Sequence, residues 1–382
     1  MPGWTYATGG EVESSPAISA DGSTVYVGSS DSKLHAINTS DGTAQWTYET
    51  DDNIHSSPAI SPDGLTVYVG SYDKKLHAIK TSDGTARWTY ETEYEVTSSP
   101  AISADGLTVY VGSWDFNLYA IETSYGQERW RYKTGGTDYG EIKSSPAISA
   151  DGLTVYVGSN DKKLHAVKTS DGSARWTYAT CGELRCGVIW GSPAISADGL
   201  TVYVGTMAGD EKLHAIKTLD GTARWTYDTG GSVWSSPAIS ADGSTVYVGS
   251  DNKLHAIKTS DGTARWTYDT GYWVGSSPAI SADGLTVYVG SYDYKLHAIK
   301  TSDGSTRWTY ATGDGVFSSP AISADGMTVY VGSNDLKLHA IKTSDGSAPL
   351  SGLWVVLIII LICCFLFFAA FFFYFYMKNT DG

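Results

Sequence analysis

The sequence predicts an all-β fold: an eight-bladed β-propeller of four-stranded antiparallel blades, followed by one C-terminal transmembrane helix. Three observations carry the propeller. The motif Ser15-Pro16-Ala17-Ile18-Ser19 recurs with its proline at 16, 58, 100, 146, 193, 237, 278 and 320, a spacing of 41 to 47 residues. That is the period of one propeller blade. Each repeat contains four strand-like runs separated by turn chemistry, and the two ends of the array are complementary. The last repeat stops at Ser347-Ala348-Pro349-Leu350 without its Trp-Thr-Tyr run, whereas the chain opens on an orphan Trp4-Thr5-Tyr6. The N-terminal strand therefore completes the eighth blade and leaves no open sheet edge.

Within the unit Ser277 to Thr312 the elements follow in order. Ser-Pro-Ala-Ile-Ser forms the first strand, and Ala-Asp-Gly turns the chain. Thr-Val-Tyr-Val-Gly-Ser forms the second, with a loop containing Asp after it. Lys-Leu-His-Ala-Ile-Lys-Thr forms the third, Ser-Asp-Gly turns again, and the run around Arg307-Trp308-Thr309-Tyr310 is the fourth. Asp-Gly pairs supply the positive backbone angles of tight turns, and Val, Ile, Tyr, Trp and Thr suit a pleated surface.

Composition narrows the function. The 382 residues carry 26 Lys+Arg against 41 Asp+Glu, a formal charge of −15. No clustered positive surface exists to release counterions from a phosphate backbone, so nucleic acid is excluded as a partner. A hydrophobic content of 42% excludes disorder, and four cysteines are too few for a disulfide scaffold. No phosphate-binding loop, nucleophile elbow or zinc-binding helix motif is present.

The stretch Lys295-Leu296-His297-Ala298-Ile299-Lys300-Thr301-Ser302-Asp303-Gly304, with Trp308 after it, resembles the pyrroloquinoline-quinone (PQQ-like) propeller repeat. The resemblance extends over about residues 4 to 348 in eight concordant copies. It implies the fold. Its chemistry is open, because the same repeat serves quinoprotein dehydrogenases, an outer-membrane assembly lipoprotein and other scaffolds. A quinoprotein enzyme would bring PQQ with calcium, an Asp base and a ring closed by adjacent cysteines. The only adjacent pair here, Cys363-Cys364, lies inside an apolar run. The expectation is therefore a protein without cofactor or metal.

Comparing the eight copies separates fixed from free positions. The Asp-Gly turns hardly vary. Variation gathers between the fourth strand and the next Ser-Pro, and between the second and third strands, two connections that emerge on one face. There the residue two before each recurrent Ser opens the innermost strand toward the channel: Glu13, His55, Thr97, Lys143, Trp190, Trp234, Gly275 and Phe317. This gives a mouth with a polar half and an aromatic half. Nearby loops add Tyr72, Trp114, Phe116, Tyr139, Trp273, Tyr292 and Tyr294, and acids at Glu11, Asp51, Asp52, Glu93, Glu95 and Glu183. Aromatic plates beside carboxylates suit a protein, peptide or carbohydrate ligand, or a cationic one.

Other repeated columns read as structural. His35, His77, His165, His214, His255, His297 and His339 fall in separate blades, the loop Asp column belongs to hairpin turns, and Trp46, Trp88, Trp130, Trp176, Trp225, Trp266 and Trp308 wedge between blades. Cys181 and Cys186 can close a small disulfide loop in an oxidising compartment, and Asn38-Thr39-Ser40 is a glycosylation sequon.

From Leu353 to Met377 no residue is charged. A helix of these 25 residues rises about 37 Å, enough to span a bilayer, with Trp354, Tyr374 and Tyr376 at its interfaces. The expected organisation is a propeller at 1–350, a transmembrane helix at 351–377 and a short tail at 378–382. The reading is a single-pass membrane scaffold that binds through its variable face, with a PQQ-dependent alcohol or sugar oxidoreductase and a purely structural spacer as alternatives. Lys378, the cysteine pair and the sequon favour a propeller outside the cytoplasm. The opening Met1-Pro2-Gly3-Trp4 carries no signal segment, so either a signal peptide is missing ahead of it or the protein is tail-anchored with a cytosolic propeller. Protease protection of the ring in intact membranes separates the two.

Overall fold

The computed structural model describes residues 2–135, 140–180, 187–207 and 209–343. Cys181, Cys186, Tyr139, Glu183 and the apolar segment with its tail lie outside them. Among the described residues, thirty-two strands form eight four-stranded antiparallel sheets. Blade one consists of Ala17–Ile18, Thr24–Gly28, Lys33–Asn38 and Ala44–Glu49, from inside to outside, and the next six repeat it. Blade eight is Ala321–Ile322, Thr328–Ser333 and Lys337–Lys342, with Pro2–Ala7 as its outer strand. The N-terminal strand thus closes the ring, as the orphan Trp-Thr-Tyr run requires. The innermost strand is shorter than its motif, reduced to the Ala-Ile pair, because the Ser and Pro residues before it pair with the neighbouring blade or with none. Among the described residues no helix is long and apolar enough to cross a membrane.

The core lies between blades. Each of eight clusters draws on two adjacent sheets: Tyr68, Leu76 and Ala78 of blade two meet Val109, Val111 and Ile121 of blade three. The second strand, Thr-Val-Tyr-Val-Gly, is buried throughout, and the outer strand alternates exposed with half-buried. A blade therefore has two apolar faces, which suits a wedge pressed from both sides.

Tryptophan locks neighbouring blades. The Nε1–H of Trp46 donates to the carbonyl of Thr81 in the next blade at 2.9 Å, and Trp4, Trp88, Trp130, Trp176, Trp225 and Trp266 do the same to Thr39, Thr123, Thr169, Thr218, Thr259 and Thr301. The indole of Trp46 lies on Gly84, whose φ is +71° and where a Cβ would come within 2.7 Å of the ring. Glycine is required there twice over, by the turn and by the tryptophan.

A second seam runs nearer the variable face. In seven blades the repeated histidine accepts at Nδ1 from a tyrosine hydroxyl of the preceding blade at 3.0–3.2 Å, as in Tyr6–His35 and Tyr48–His77. In six of them Nε2 points to the Asp four residues earlier, as in His77–Asp73 at 3.0 Å. A carboxylate only accepts, so Nε2 carries the proton and Nδ1 receives the tyrosine. The loop Asp column is therefore more than turn chemistry. Blade three replaces the histidine with Tyr119, whose hydroxyl donates to Asp115 at 2.6 Å.

Blade six is the exception. Its loop is one residue shorter between Gly249 and Asp251, so Asp251 accepts from the Ser232 backbone instead of His255. His255, 2% exposed, has Ser250 within 3.5 Å of Nε2, and burial pushes its pKa down to about 4.

Two outcomes follow. Trp46→Ala removes an inter-blade wedge and is expected to destabilise the full-length protein by about 3 kcal/mol in denaturant titration, against about 1 kcal/mol for Trp46→Phe, which loses chiefly the hydrogen bond. For His255 the folded form binds its proton more weakly than the unfolded chain does. Its neutral state therefore supports folding in full above pH 6.5, and that support is lost as pH falls to about 4. His255→Gln should flatten the stability–pH curve across this window; parallel curves for the two proteins would refute the assignment.

Candidate functional site

The channel wall is built by period-two alternation. Val12, Ser14 and Pro16 are buried while Glu13 and Ser15 are half-exposed, so alternate residues of the inner segment face the axis. At the Ser15 level the blades join directly. The backbone N–H of Ser15 donates to Ser57 Oγ, Ser57 to Ser99, Ser99 to Ser145, Ser145 to Ser192, Ser192 to Ser236, Ser236 to Ser277, Ser277 to Ser319, and Ser319 back to Ser15, all at 2.8–3.1 Å. Eight serines from eight blades thus form one closed hydrogen-bonded circle.

Two residues earlier, one layer nearer the variable face, stand the residues expected at the mouth. The structure brings six of them into one continuous chain of contacts. Glu13 Oε2 lies 3.2 Å from His55 Nδ1, and Ser30 Oγ lies 3.2 Å from His55 Nε2. The imidazole packs edge-on against Tyr72 at 4.8 Å, and Tyr72 against Trp114 at 5.9 Å. Trp114 donates from Nε1 to Thr97 Oγ1 at 2.8 Å. Lys143 Nζ sits 4.4 Å from the centre of the Trp114 ring and 3.9 Å from that of Trp190. Trp190 donates to Asn160 Oδ1 at 2.6 Å and meets Trp234 edge-on at 5.3 Å. Trp234 is 38% exposed.

Phe317 belongs to a second aromatic cluster at the mouth. Its ring meets Tyr292 edge-on at 4.3 Å and fills the space above Gly275, where a Cβ would come within 2.5 Å of it. Tyr292 also contacts Tyr272 and Trp273.

The electrostatics follow from this layout. Burial between two indoles lowers the Lys143 pKa, which Glu141 partly offsets. Burial raises Tyr72, and Glu13, Glu95 and Asp52 raise it further. Burial also raises Tyr292, with Glu13, Glu11 and Asp314 adding to it. Tyr292 thus senses Glu13, which places the second cluster beside the start of the first. A clean division into polar and aromatic halves does not hold, because Trp114 interleaves with Lys143.

Sequence reasoning missed Ser30, Asn160, Glu141 and Tyr272. For Ser30 and Asn160 the signal was available: Ser30, Tyr72, Trp114, Asn160 and Tyr292 occupy one repeat column, just after the second strand, and each of these side chains contacts a mouth residue. Asn38 is on the other face of the ring, where its amide donates to Thr43 Oγ1 at 2.8 Å. Among the described residues no three His, Cys, Asp or Glu side chains gather into a metal-holding group. The mouth offers rings, a held ammonium and carboxylates, which is equipment for binding.

A protein-family model described as outer membrane protein assembly factor BamB matches residues 2–59, 53–209, 183–311 and 209–351. No curated protein matches the chain. Among solved structures, BamB from Moraxella catarrhalis is similar with a TM-score of 0.74 and 19% identity, over 90% of this chain and 99% of that one. At that identity the likeness carries the fold alone.

Gly275→Ala should drive Phe317 off its seat and destabilise the protein by about 1–3 kcal/mol. A crystal structure of the variant with Phe317 still against Tyr292 would contradict the packing described.

Proposed function

The chain belongs to the family of the outer membrane protein assembly factor BamB, and on that basis we propose that it is a protein-binding scaffold whose partner docks on the variable mouth. One observation carries the reading: in a ring of near-identical blades, the positions free to vary are joined side chain to side chain around a single opening. Glu13, His55, Thr97, Lys143, Trp190, Trp234 and Phe317 form the docking surface. Half-exposed tryptophans and tyrosines supply large rigid contact area at small entropic loss, the composition of an interface centre.

The protein works in this reading without a cofactor and is not an enzyme. A PQQ–calcium centre needs several carboxylate and amide ligands beside a stacking ring. Carboxylates stand at the mouth, but among the described residues no three His, Cys, Asp or Glu side chains gather to hold a metal ion. These residues do not fit that group.

Membrane attachment is part of the proposal. The uncharged stretch Leu353–Met377 would anchor a ring at 1–350, leaving the tail 378–382 beyond the bilayer, and membership of an outer-membrane assembly family favours a ring outside the cytoplasm.

The test places a photo-crosslinking amino acid at Trp234 or at Leu219 in the full-length protein in its native membrane. Leu219 is 88% exposed and lies in an Asp-Gly turn. Adducts to a defined protein are expected from position 234 and not from 219. In a background labelled elsewhere on the mouth, Trp190→Ala with Trp234→Ala should cut adduct yield at least tenfold. Equal labelling from both positions, or none from 234, would sink the proposal.

A further inference from the structure

We infer that the aromatic cluster around Tyr292 receives a positively charged side chain, so that the segment docked at the mouth is a basic one carrying Arg or Lys. The inference rests on the docking reading above and specifies its partner. Tyr292 stands amid Phe317 at 4.3 Å and Tyr272 and Trp273 at 6.1 Å each. Tyr272 and Trp273 are 51% and 52% exposed, so the ring faces are open to a ligand. The cluster is built rather than accidental: Gly275 gives Phe317 its seat, since a Cβ there would come within 2.5 Å of the ring.

Three carboxylates act on this cluster, one of which, Glu13, also lies against His55. Glu13, Glu11 and Asp314 all act on the Tyr292 phenol. Ring faces carry negative potential, and so do carboxylates, so the site's field calls for a cation. A neutral sugar could stack on the rings but would leave that field unanswered, and an acidic segment would be repelled.

The same mouth already displays this chemistry with an internal cation. Lys143 lies 4.4 Å and 3.9 Å from the Trp114 and Trp190 rings, with Glu141 acting on it. Around Tyr292, among the described residues, no Lys or Arg lies over the rings. Where one sector supplies its own ammonium, the other presents rings and carboxylates to a cation from outside.

The experiment uses the full-length protein in nanodiscs and three glycine-spaced peptides carrying three Arg, three citrulline or three Glu residues. Binding is read by calorimetry. The Arg peptide should bind at least tenfold more tightly than the citrulline peptide, which has the same shape without charge, and the Glu peptide should not bind. Trp273→Ala should weaken the Arg peptide at least tenfold, while Trp273→Phe retains most of the affinity. Because Trp273 is half-exposed, both variants are expected to fold, and matching thermal transitions confirm it. Citrulline binding as well as Arg, or Arg binding indifferent to Trp273→Ala, overturns the inference. If that happens while crosslinks from position 234 persist, only the charge assignment falls. If the crosslinks are absent as well, the docking reading falls with it.

Discussion

Closure is the constraint on which the rest of the molecule depends, and its most economical expression is the circle of eight serines. Ser319 and Ser15 are 304 residues apart, yet their hydrogen bond is equivalent to that between Ser15 and Ser57. Such a circle can form only when eight wedges of nearly equal angle meet, so every blade must hold the same width. That requirement explains why the buried Val, Ile, Leu and Tyr columns hardly change from copy to copy. A blade one methylene thicker would open a gap elsewhere in the ring, since packed interiors do not absorb such changes freely.

Two seams distribute the load at different radii. Near the axis, serine N–H groups are satisfied by the neighbour's hydroxyl. Farther out, indole N–H groups reach the next blade's threonine carbonyls, and tyrosine, histidine and aspartate link blades toward the variable face. Each seam satisfies polar groups that burial between sheets would otherwise orphan. On the Asp-Gly face the carboxylates are also answered locally: Thr85 hydrogen bonds hold the Asp83 pKa below its ordinary range, with Lys80 and Arg87 adding to the effect. Acidity on that face is therefore largely spent within the turns. At the mouth, Glu13, Glu11 and Asp314 also act on the half-buried Tyr292 ring, and the same type of charge becomes available to a partner.

Much of this was legible in the sequence. The 41–47-residue period, the Asp-Gly turns and the matching ends specify eight blades and their closure, because turn chemistry and strand period are local properties. The mouth column was legible too, since alternation along Val12, Glu13, Ser14 and Ser15 decides which residue faces the axis. The serine circle was not, because Ser-Pro reads locally as a strand opening, and its hydrogen bonds exist only between copies. The tyrosine–histidine link was hidden for the same reason. Blade six is a different failure: counting back from His255 finds Asp251 at the usual distance of four, but counting forward from Gly249 shows the missing residue that turns its carboxylate away.

The alternation that builds the channel also explains how one ring can be rigid and adaptable at once. Along the inner segment, buried positions anchor the blade: Ser14 Oγ accepts from the Gly28 backbone, and Val12 packs in the core between blades eight and one. The intervening positions contact one another and the residues that follow the second strand, as His55 contacts Ser30 and Tyr72. Glu13 gives way to His55, Lys143 or Trp190 in other blades without altering the wedge, because none of these side chains belongs to the core between blades. Specificity can therefore be written into a ring one blade at a time while the scaffold stays fixed. The third blade shows the same tolerance at the outer seam, where Tyr119 takes the place of histidine and Asp115 still accepts its hydrogen bond. A contact surface made of eight positions on a shared frame can join an aromatic clamp around an internal lysine to an open aromatic cluster beside carboxylates. In a fold whose mouth residues were part of its core, each of those choices would have to be made against its stability.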